Sequence, residues 1–420
     1  METVQNSEKE KAILVGCGPK RNEWELLSTL EELGRLAETS AAEVIGQAVQ
    51  FRDRLDPAWL IGKGKAEEVA KMAEEREADL VIFDHELSPA QIRNLERLLP
   101  CKVIDRTQLI LDIFAQRAQT KEGRIQVELA QLEYMLPRLA GRGKELSRLG
   151  GGIGTRGPGE KKLETDRRHI HRQIRDLKKQ LEEVKKHRRL HSERRKKNEV
   201  VQVALVGYTN AGKSTLLNRL TGAEVLAENK LFATLDPTSR MLELPSGQQV
   251  ILTDTVGFIR NLPHHLVAAF RSTLEQVREA DLLLHVVDAA HPEAAEQIAA
   301  VEKVLEELQA TDIPTLMVLN KADLLDGQGI EPDGREIVRI SALREEDLDK
   351  LKRKIENLLH SKPMTVHLKI PIERGDLLSA LHRMAEVVSA KANDAFMEIE
   401  CRLTDKQLEK LPSELKQQVT

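Results

Sequence analysis

Aromatic residues are scarce in this chain: Phe, Tyr and Trp make up 3% of its 420 residues. A nucleic-acid binder that stacks bases on aromatic side chains would have little to stack with. Cysteine is scarcer still. Cys17, Cys101 and Cys401 lie too far apart for metal-ligand spacing, which excludes a zinc ribbon or a disulfide framework and leaves buried thiols in a reducing compartment. No apolar run approaches the length of a bilayer span, and the opening METVQNSEKEK lacks a signal-type hydrophobic region. The expectation is a cytoplasmic chain without stable membrane insertion. Net charge is also small, −4, although 31% of residues are charged. The length allows about two to four domains, each with its own core.

What the chain does have is Gly207-Tyr208-Thr209-Asn210-Ala211-Gly212-Lys213-Ser214, directly after the apolar run Val200–Val206. This is a complete phosphate-loop pattern. Its glycines let backbone N–H groups wrap a phosphate chain, Lys213 adds charge at the β/γ-phosphates, and the Ser214 hydroxyl is a Mg²⁺ ligand. Thr215 continues into a helix whose N-terminus favours anions. Downstream, Phe232-Ala233-Thr234-Leu235-Asp236-Pro237-Thr238 lies where a threonine must be brought to Mg²⁺ and the γ-phosphate; the expectation is Thr234, with Thr238 as fallback, since spacing does not separate them. A strand then leads to Asp254-Thr255-Val256-Gly257, a carboxylate for Mg²⁺ through water and a glycine N–H for the γ-phosphate. Asn320-Lys321-Ala322-Asp323 follows a further buried strand. Its carboxylate accepts from guanine N1–H and the exocyclic amine, whereas adenine would leave it unpaired at about 1–3 kcal/mol. Ser341-Ala342 would offer a backbone N–H to guanine O6. The five motifs, in this order, resemble the translation-factor-related GTPases and imply GTP/GDP and Mg²⁺ as ligands. Lys213, Thr234, Gly257 and Asn210 are the expected catalytic residues, and Ser214, Thr234 and Asp254 the metal group. Where signalling GTPases place a water-orienting glutamine this chain has Phe258, so slow intrinsic hydrolysis is expected. Asn210 occupies the position at which some GTPases hold K⁺, which makes K⁺ acceleration an expectation to test.

Residues 12–104 alternate strands (Ala12–Val15, Val44–Val49, Leu80–Phe83, Cys101–Ile104) with helices (Trp24–Leu36, Lys65–Glu77, and Ser88–Leu99 with Ser88 as cap and Pro89 at its first position). That alternation predicts a parallel sheet with crossover helices. Gly16-Cys17-Gly18 and Gly62-Lys63-Gly64 complete no dinucleotide fingerprint and read as turns.

Residues 107–139 form one long helical pattern, with Ile125, Leu129, Leu132, Leu136 and Leu139 on one seam. Ile170, Ile174, Leu177, Leu181 and Val184 repeat the spacing. Two such seams joined by a loop predict an antiparallel hairpin; the alternative is two helices lying on a neighbouring domain. The joining stretch carries Gly150-Gly151-Gly152-Ile153-Gly154 and Gly157-Pro158-Gly159 among arginines and lysines. Arg138–Asn198 holds 21 Lys/Arg against 8 Asp/Glu, an excess of +13 that leaves the rest of the chain at −17. One-sided charge beside exposed glycine backbone points to a polyanion, RNA above all, recognised by backbone and shape. His169, His171, His187 and His191 lie in this charged face and read as solvent-facing.

The flanks carry a narrower likeness: Glu86-Leu87-Ser88-Pro89-Ala90-Gln91, the run Asp105-Arg106-Thr107 through Gln116-Arg117-Ala118, Arg148-Leu149-Gly150-Gly151-Gly152-Ile153-Gly154, and Glu164-Thr165-Asp166-Arg167-Arg168. From Ala12 to Arg402 the chain resembles the HflX family. The resemblance implies a monomeric, GTP-dependent factor that binds the large ribosomal subunit and its rRNA, not DNA. It would split stalled or stress-arrested ribosomes, with the hairpin loop toward the peptidyl-transferase region. The expected architecture is an α/β domain (1–106) and a helical hairpin with a basic Gly-rich loop (107–198, loop about 141–160). A P-loop GTPase domain with a mostly parallel sheet (199–361) and a small α+β domain (362–420) follow. In that last part Val366–Ile370 and Ala395–Cys401 read as strands and Asp376–Ala390 as a helix. The rivals are an rRNA-binding assembly factor, an ATP-driven RNA remodeller using the N-terminal domain, and a switch that binds only proteins.

Overall fold

The computed structural model describes residues 9–139, 158–197, 200–223, 228, 230–260, 276–325, 335–359, 364–371, 374, 377–378, 381, 385–393, 396–403, 411–412 and 415. The glycine-rich stretch 140–157 and the side chains of His187 and His191 lie outside the described residues.

The first part is a parallel sheet in the order β2-β1-β3-β4, built from β1 (Lys11–Gly18), β2 (Glu43–Phe51), β3 (Leu80–Phe83) and β4 (Lys102–Asp105). Helices α1 (Glu23–Thr39), α2 (Lys63–Glu75) and α3 (Pro89–Leu98) connect the strands. Ala12–Val15 and Leu80–Phe83 are buried throughout, as expected of central strands covered on both faces. Ser88 and Gln91 form a capping box at α3. The glycine turns are corrected. Gly16 and Gly18 belong to β1, and a Cβ on Gly16 would lie 2.7 Å from Leu30 Cδ1, so the glycine lets α1 approach the sheet. Gly62 is the cap residue of α2.

The long helical pattern over 107–139 is two helices, not one. Helix α4 (Arg106–Arg117) stops at Ala118, whose backbone is extended, and α5 (Lys121–Leu139) starts anew with Thr120 Oγ1 accepting from Gly123 N–H at 3.0 Å. Helix α6 (Pro158–Lys197) packs along α5. Ile125 and Leu129 meet Ile174, Leu177 and Leu181, flanked by Leu132, Leu136 and Ile170. Eight of the ten residues read as seam from the spacing thus meet, while Leu139 and Val184 are not in this cluster. At 40 residues, α6 is ~60 Å long.

The nucleotide part is a six-stranded sheet in the order β10-β9-β8-β5-β7-β6. Its strands are β5 (Gln202–Gly207), β6 (Thr238–Glu243), β7 (Gln249–Asp254), β8 (Leu282–Asp288), β9 (Thr315–Asn320) and β10 (Ile337–Arg339). All pairings are parallel except β6 against β7. Helices α7 (Lys213–Thr221), α8 (Ala294–Glu307) and α9 (Glu345–Leu359) accompany it. One apolar cluster runs unbroken from Leu14, Leu30 and Phe114 to Tyr208, Phe232 and Phe258, so the first and third parts share a core.

The last part pairs β11 (Met364–Pro371), β13 (Phe396–Leu403) and β12 (Glu386–Ala392) as an antiparallel sheet. The helix expected over Asp376–Ala390 is therefore wrong at its end. Residues 386–392 satisfy their backbone on β13, with a bulge near Val388, while Leu377 and Leu381 pack beneath. No described helix is long and apolar enough to cross a membrane.

Candidate active site

The phosphate loop spans the C-terminal end of β5 and the start of α7, where ligands gather in open parallel sheets. Gly207 (φ 153°) leaves no room for a side chain beside the Val286 carbonyl. Gly212 (φ 94°) caps α7 against the Asn320 amide. Lys213 is buried and donates to the carbonyls of Gly207 (3.1 Å) and Tyr208 (2.7 Å). Burial pulls its pKa down to about 8 against the opposing pull of Asp254; a phosphate chain would restore the charge. Thr209, Asn210, Gly212, Lys213, Ser214, Thr215, Thr234 and Gly257 line one small cavity. A Cβ on Gly257 would stand 2.6 Å from Thr209 Cγ2 and 3.1 Å from Lys213 Nζ, so the backbone there approaches the loop as only glycine can.

Ser214, Thr234 and Asp254 converge. Ser214 Oγ donates to Asp254 Oδ2 at 2.6 Å, Thr234 Oγ1 donates to the same oxygen at 3.1 Å, and the two hydroxyl oxygens are 2.8 Å apart. Neighbouring oxygens on an octahedral ion with 2.0–2.1 Å bonds lie about 2.9 Å apart. Among the described residues, Asp254 Oδ1 is buried without a hydrogen-bond partner. Burial pushes this carboxyl up, while Lys213 and the two hydroxyls draw it back. Hard, converging oxygens with one unmet acceptor fit a Mg²⁺ group. Thr238 instead sits in β6, opposite Asp254 in the strand register, and is not in this triangle.

On the other side of the loop, Asn320 ties three motifs together: its amide donates to the Ala211 carbonyl and its oxygen accepts from Ala342 N–H, both at 3.0 Å. Lys321 donates to the Asn210 carbonyl at 3.1 Å and pairs with Asp288 at 2.6 Å. Asp323 is exposed, and the Ser341 hydroxyl holds its pKa below the ordinary range. An ionised, open carboxylate beside a buried backbone turn is what guanine's donor edge requires.

Residues 28–115 match a family described as "GTP-binding GTPase N-terminal", 117–195 its "Middle Region", and 202–321 "50S ribosome-binding GTPase". The chain is 53% identical over 380 residues, 90% of each chain, to "GTPase HflX" of Alkalihalophilus pseudofirmus. It is 52% identical over 398 residues, 94% of this chain and 92% of the other, to that of Caldanaerobacter subterraneus. The chain belongs to the GTPase HflX family. It is a GTPase. The Escherichia coli member is 52% identical over 300 residues, 71% of this chain and 70% of its own. A solved GTP-binding protein from Sulfolobus solfataricus in complex with GDP shares 26% identity at a TM-score of 0.45, covering 83% of this chain and 98% of that one.

In this chain two expected nucleotide residues point elsewhere. The Phe232 ring is buried edge-on against Phe114 at 4.7 Å, although the residue borders the phosphate cavity. The Tyr208 hydroxyl donates to Glu32 of α1 and accepts from Arg260 N–H at 2.7 Å. Sequence reading missed the network behind this pair. Buried Arg106 bonds Glu32, Asp84 (2.8 Å) and the Arg260 carbonyl (3.2 Å), and Arg260 pairs with Glu293 (3.1 Å). Burial works against the Arg106 charge, and the two carboxylates more than restore it. Lys230 and Glu228 also line the phosphate cavity unforeseen. The signal of the Arg106 network is buried pairing across long sequence separations, which no local motif carries. Arg138 is corrected in the opposite sense. Counted with the basic loop, it is instead bound to Asp105 (3.3 Å) and stacked 3.3 Å over the Tyr134 ring. His169 and His171 are exposed, as expected.

Proposed function

We propose that this GTPase is a ribosome-splitting factor of the cytoplasm, monomeric, acting on stalled or stress-arrested ribosomes through the large subunit. The observation that carries the reading is the convergence of Ser214, Thr234, Asp254 and Gly257 on the phosphate loop in a chain whose excess positive charge is confined to the helical segment. Gly207–Thr215 would hold the phosphates, and Asn320, Lys321, Asp323, Ser341 and Ala342 the guanine. When bound through Ser214, Thr234 and Asp254, Mg²⁺ neutralises developing charge on the phosphoryl oxygens. Lys213 adds charge without a proton transfer, and Gly257 N–H senses the γ-phosphate. Hydrolysis is slow alone, because nothing at position 258 orients water, and the ribosome completes it. The division at 106, 198 and 361 assigns nucleotide chemistry to the third part and rRNA contact to the hairpin.

Co-sedimentation with purified large subunits tests this. Binding with a non-hydrolysable GTP analogue should exceed binding with GDP, and subunits should accelerate hydrolysis. Binding only to free precursor rRNA would overturn it in favour of an assembly role. We further propose that K⁺ bound at Asn210, whose backbone is left-handed (φ 62°) beside the phosphate cavity, speeds hydrolysis; equal rates in KCl and NaCl would remove this part.

A further inference from the structure

The segment carrying Thr234 is gripped from outside the nucleotide part. Asp236 Oδ2 accepts from Gln119 N–H at 2.7 Å and Thr120 N–H at 2.8 Å, and its Oδ1 accepts from the Thr120 hydroxyl at 2.5 Å. The carboxylate thus sits at the start of α5, where free N–H groups favour negative charge. On the other side of Thr234, the Phe232 ring stands against Phe114 of α4, and its backbone is held left-handed at φ 54°. Further back, Glu228 pairs with Arg117 at 2.8 Å. All three grips close on the joint between α4 and α5.

We propose that Asp236 is a positioning residue for GTP hydrolysis: anchored on the α4–α5 joint, it holds its segment where Thr234 meets Ser214 and Asp254. The proposal rests on the reading that Thr234 closes on the metal and γ-phosphate. Only Leu235 separates Asp236 from Thr234, and Pro237 confines Asp236 to extended backbone. With little backbone freedom at Asp236, displacing a carboxylate held by three hydrogen bonds is expected to shift the adjoining Thr234. Gly123 gives an independent handle. A Cβ there would fall inside contact distance of Asp236 Oδ1 and 3.1 Å from Thr120 Oγ1. Alanine otherwise suits the helix better than glycine. Gly123→Ala should therefore leave α5 intact while pushing Asp236 away.

The test uses the full chain and measures kcat and KM for GTP at saturating Mg²⁺, Kd for GDP, and melting. Gly123→Ala and Asp236→Ala should each lose about tenfold or more in kcat/KM, the scale of an ångström misplacement. GDP affinity, which does not use Thr234, should stay within about twofold, and Gly123→Ala should melt like the parent. Thr120→Val should lose activity and Thr120→Ser keep it. Thr234→Ala separates the two levels. If it is slow while Gly123→Ala and Asp236→Ala are not, positioning by Asp236 is overturned and the Thr234 reading stands. If Thr234→Ala hydrolyses GTP normally, that underlying reading fails. Parallel losses of GDP affinity and melting temperature in Gly123→Ala would show a general structural role and also overturn the proposal.

Discussion

Replacing Phe258 with glutamine, which restores the residue type that signalling GTPases use to orient water, should destabilise this protein and add no rate. The side chain is 1% exposed, packed in the core shared by Tyr208, Phe232, Val256 and Ile259, and it does not line the phosphate cavity. Its backbone is fixed as well: Phe258 N–H donates to the Gly207 carbonyl at 3.1 Å, and its carbonyl accepts from Thr209 N–H at 2.8 Å. A glutamine side chain would start in the same direction, into the core. Loss of the ring's burial costs about 3 kcal/mol. An amide buried without partners adds about 1–3 kcal/mol. The sum, about 4–6 kcal/mol, corresponds to a melting drop of roughly 10–20 °C for a domain of this size. The assay is multiple-turnover GTP hydrolysis at 25 °C beside a thermal melt, with Phe258→Leu as the apolar control. Phe258→Leu should lose far less stability. A Phe258→Gln protein that melts like the parent and hydrolyses faster would refute the placement of the side chain in the core, because the glutamine would then reach the attacking water.

Arg106→Met should cost about 3–5 kcal/mol in urea unfolding, because Glu32 and Asp84 are left buried without their cation; adding Glu32→Gln and Asp84→Asn should recover part of it, and no recovery would mean that lost packing dominates. His285 gives a pH signature. Burial first, then Arg335 and Lys213, push its pKa down to about 4 from 6.5. Between those values the unfolded chain takes up a proton that the folded chain refuses, so stability falls as pH falls from 6.5 to 4 and is untouched above 6.5. The loss reaches about 3 kcal/mol at pH 4. Urea series at pH 7, 5.5 and 4 should show a shallower decline for His285→Gln, and parallel declines would refute the assignment. Gly257→Ala must displace Thr209 or Lys213, so kcat should fall about 10²-fold; a normal rate would show that Gly257 N–H has no part in the reaction.

Much of the fold was legible because burial on both faces leaves a plain record. Leu80–Phe83 and Val203–Val206 are continuous apolar runs since each covers a central strand. The phosphate loop was legible because its constraints are local. Failures cluster where a distant residue decides. Nothing in Ala118-Gln119-Thr120 breaks a helical pattern; the break is stabilised by Asp236, 116 residues away from Thr120. Glu386–Ala392 has helical composition but becomes a strand because β13 offers it an edge. Spacing could not separate Thr234 from Thr238. The strand register puts Thr238 in the ladder against Asp254, and Thr234 stands beside Ser214. Arg138 was grouped with its basic neighbours because charge is visible in sequence and an ion-pair partner 33 residues away is not.

Helix α5 is consequently held at both ends by carboxylates from different parts of the molecule. At its start stands Asp236 of the nucleotide part. At its far end stands Asp105, which is fully buried and accepts from Leu87 N–H (2.9 Å), Gln108 N–H (2.9 Å), the Tyr134 hydroxyl (2.5 Å) and Arg138 (3.3 Å). Accepting from four donors, Asp105 fixes α4, α5 and the first sheet to one another. The α5 grip at Asp236 has a different character, being exposed and attached to the segment whose position the nucleotide sets. A buried, saturated carboxylate and one on the segment that carries Thr234 thus hold opposite ends of one helix.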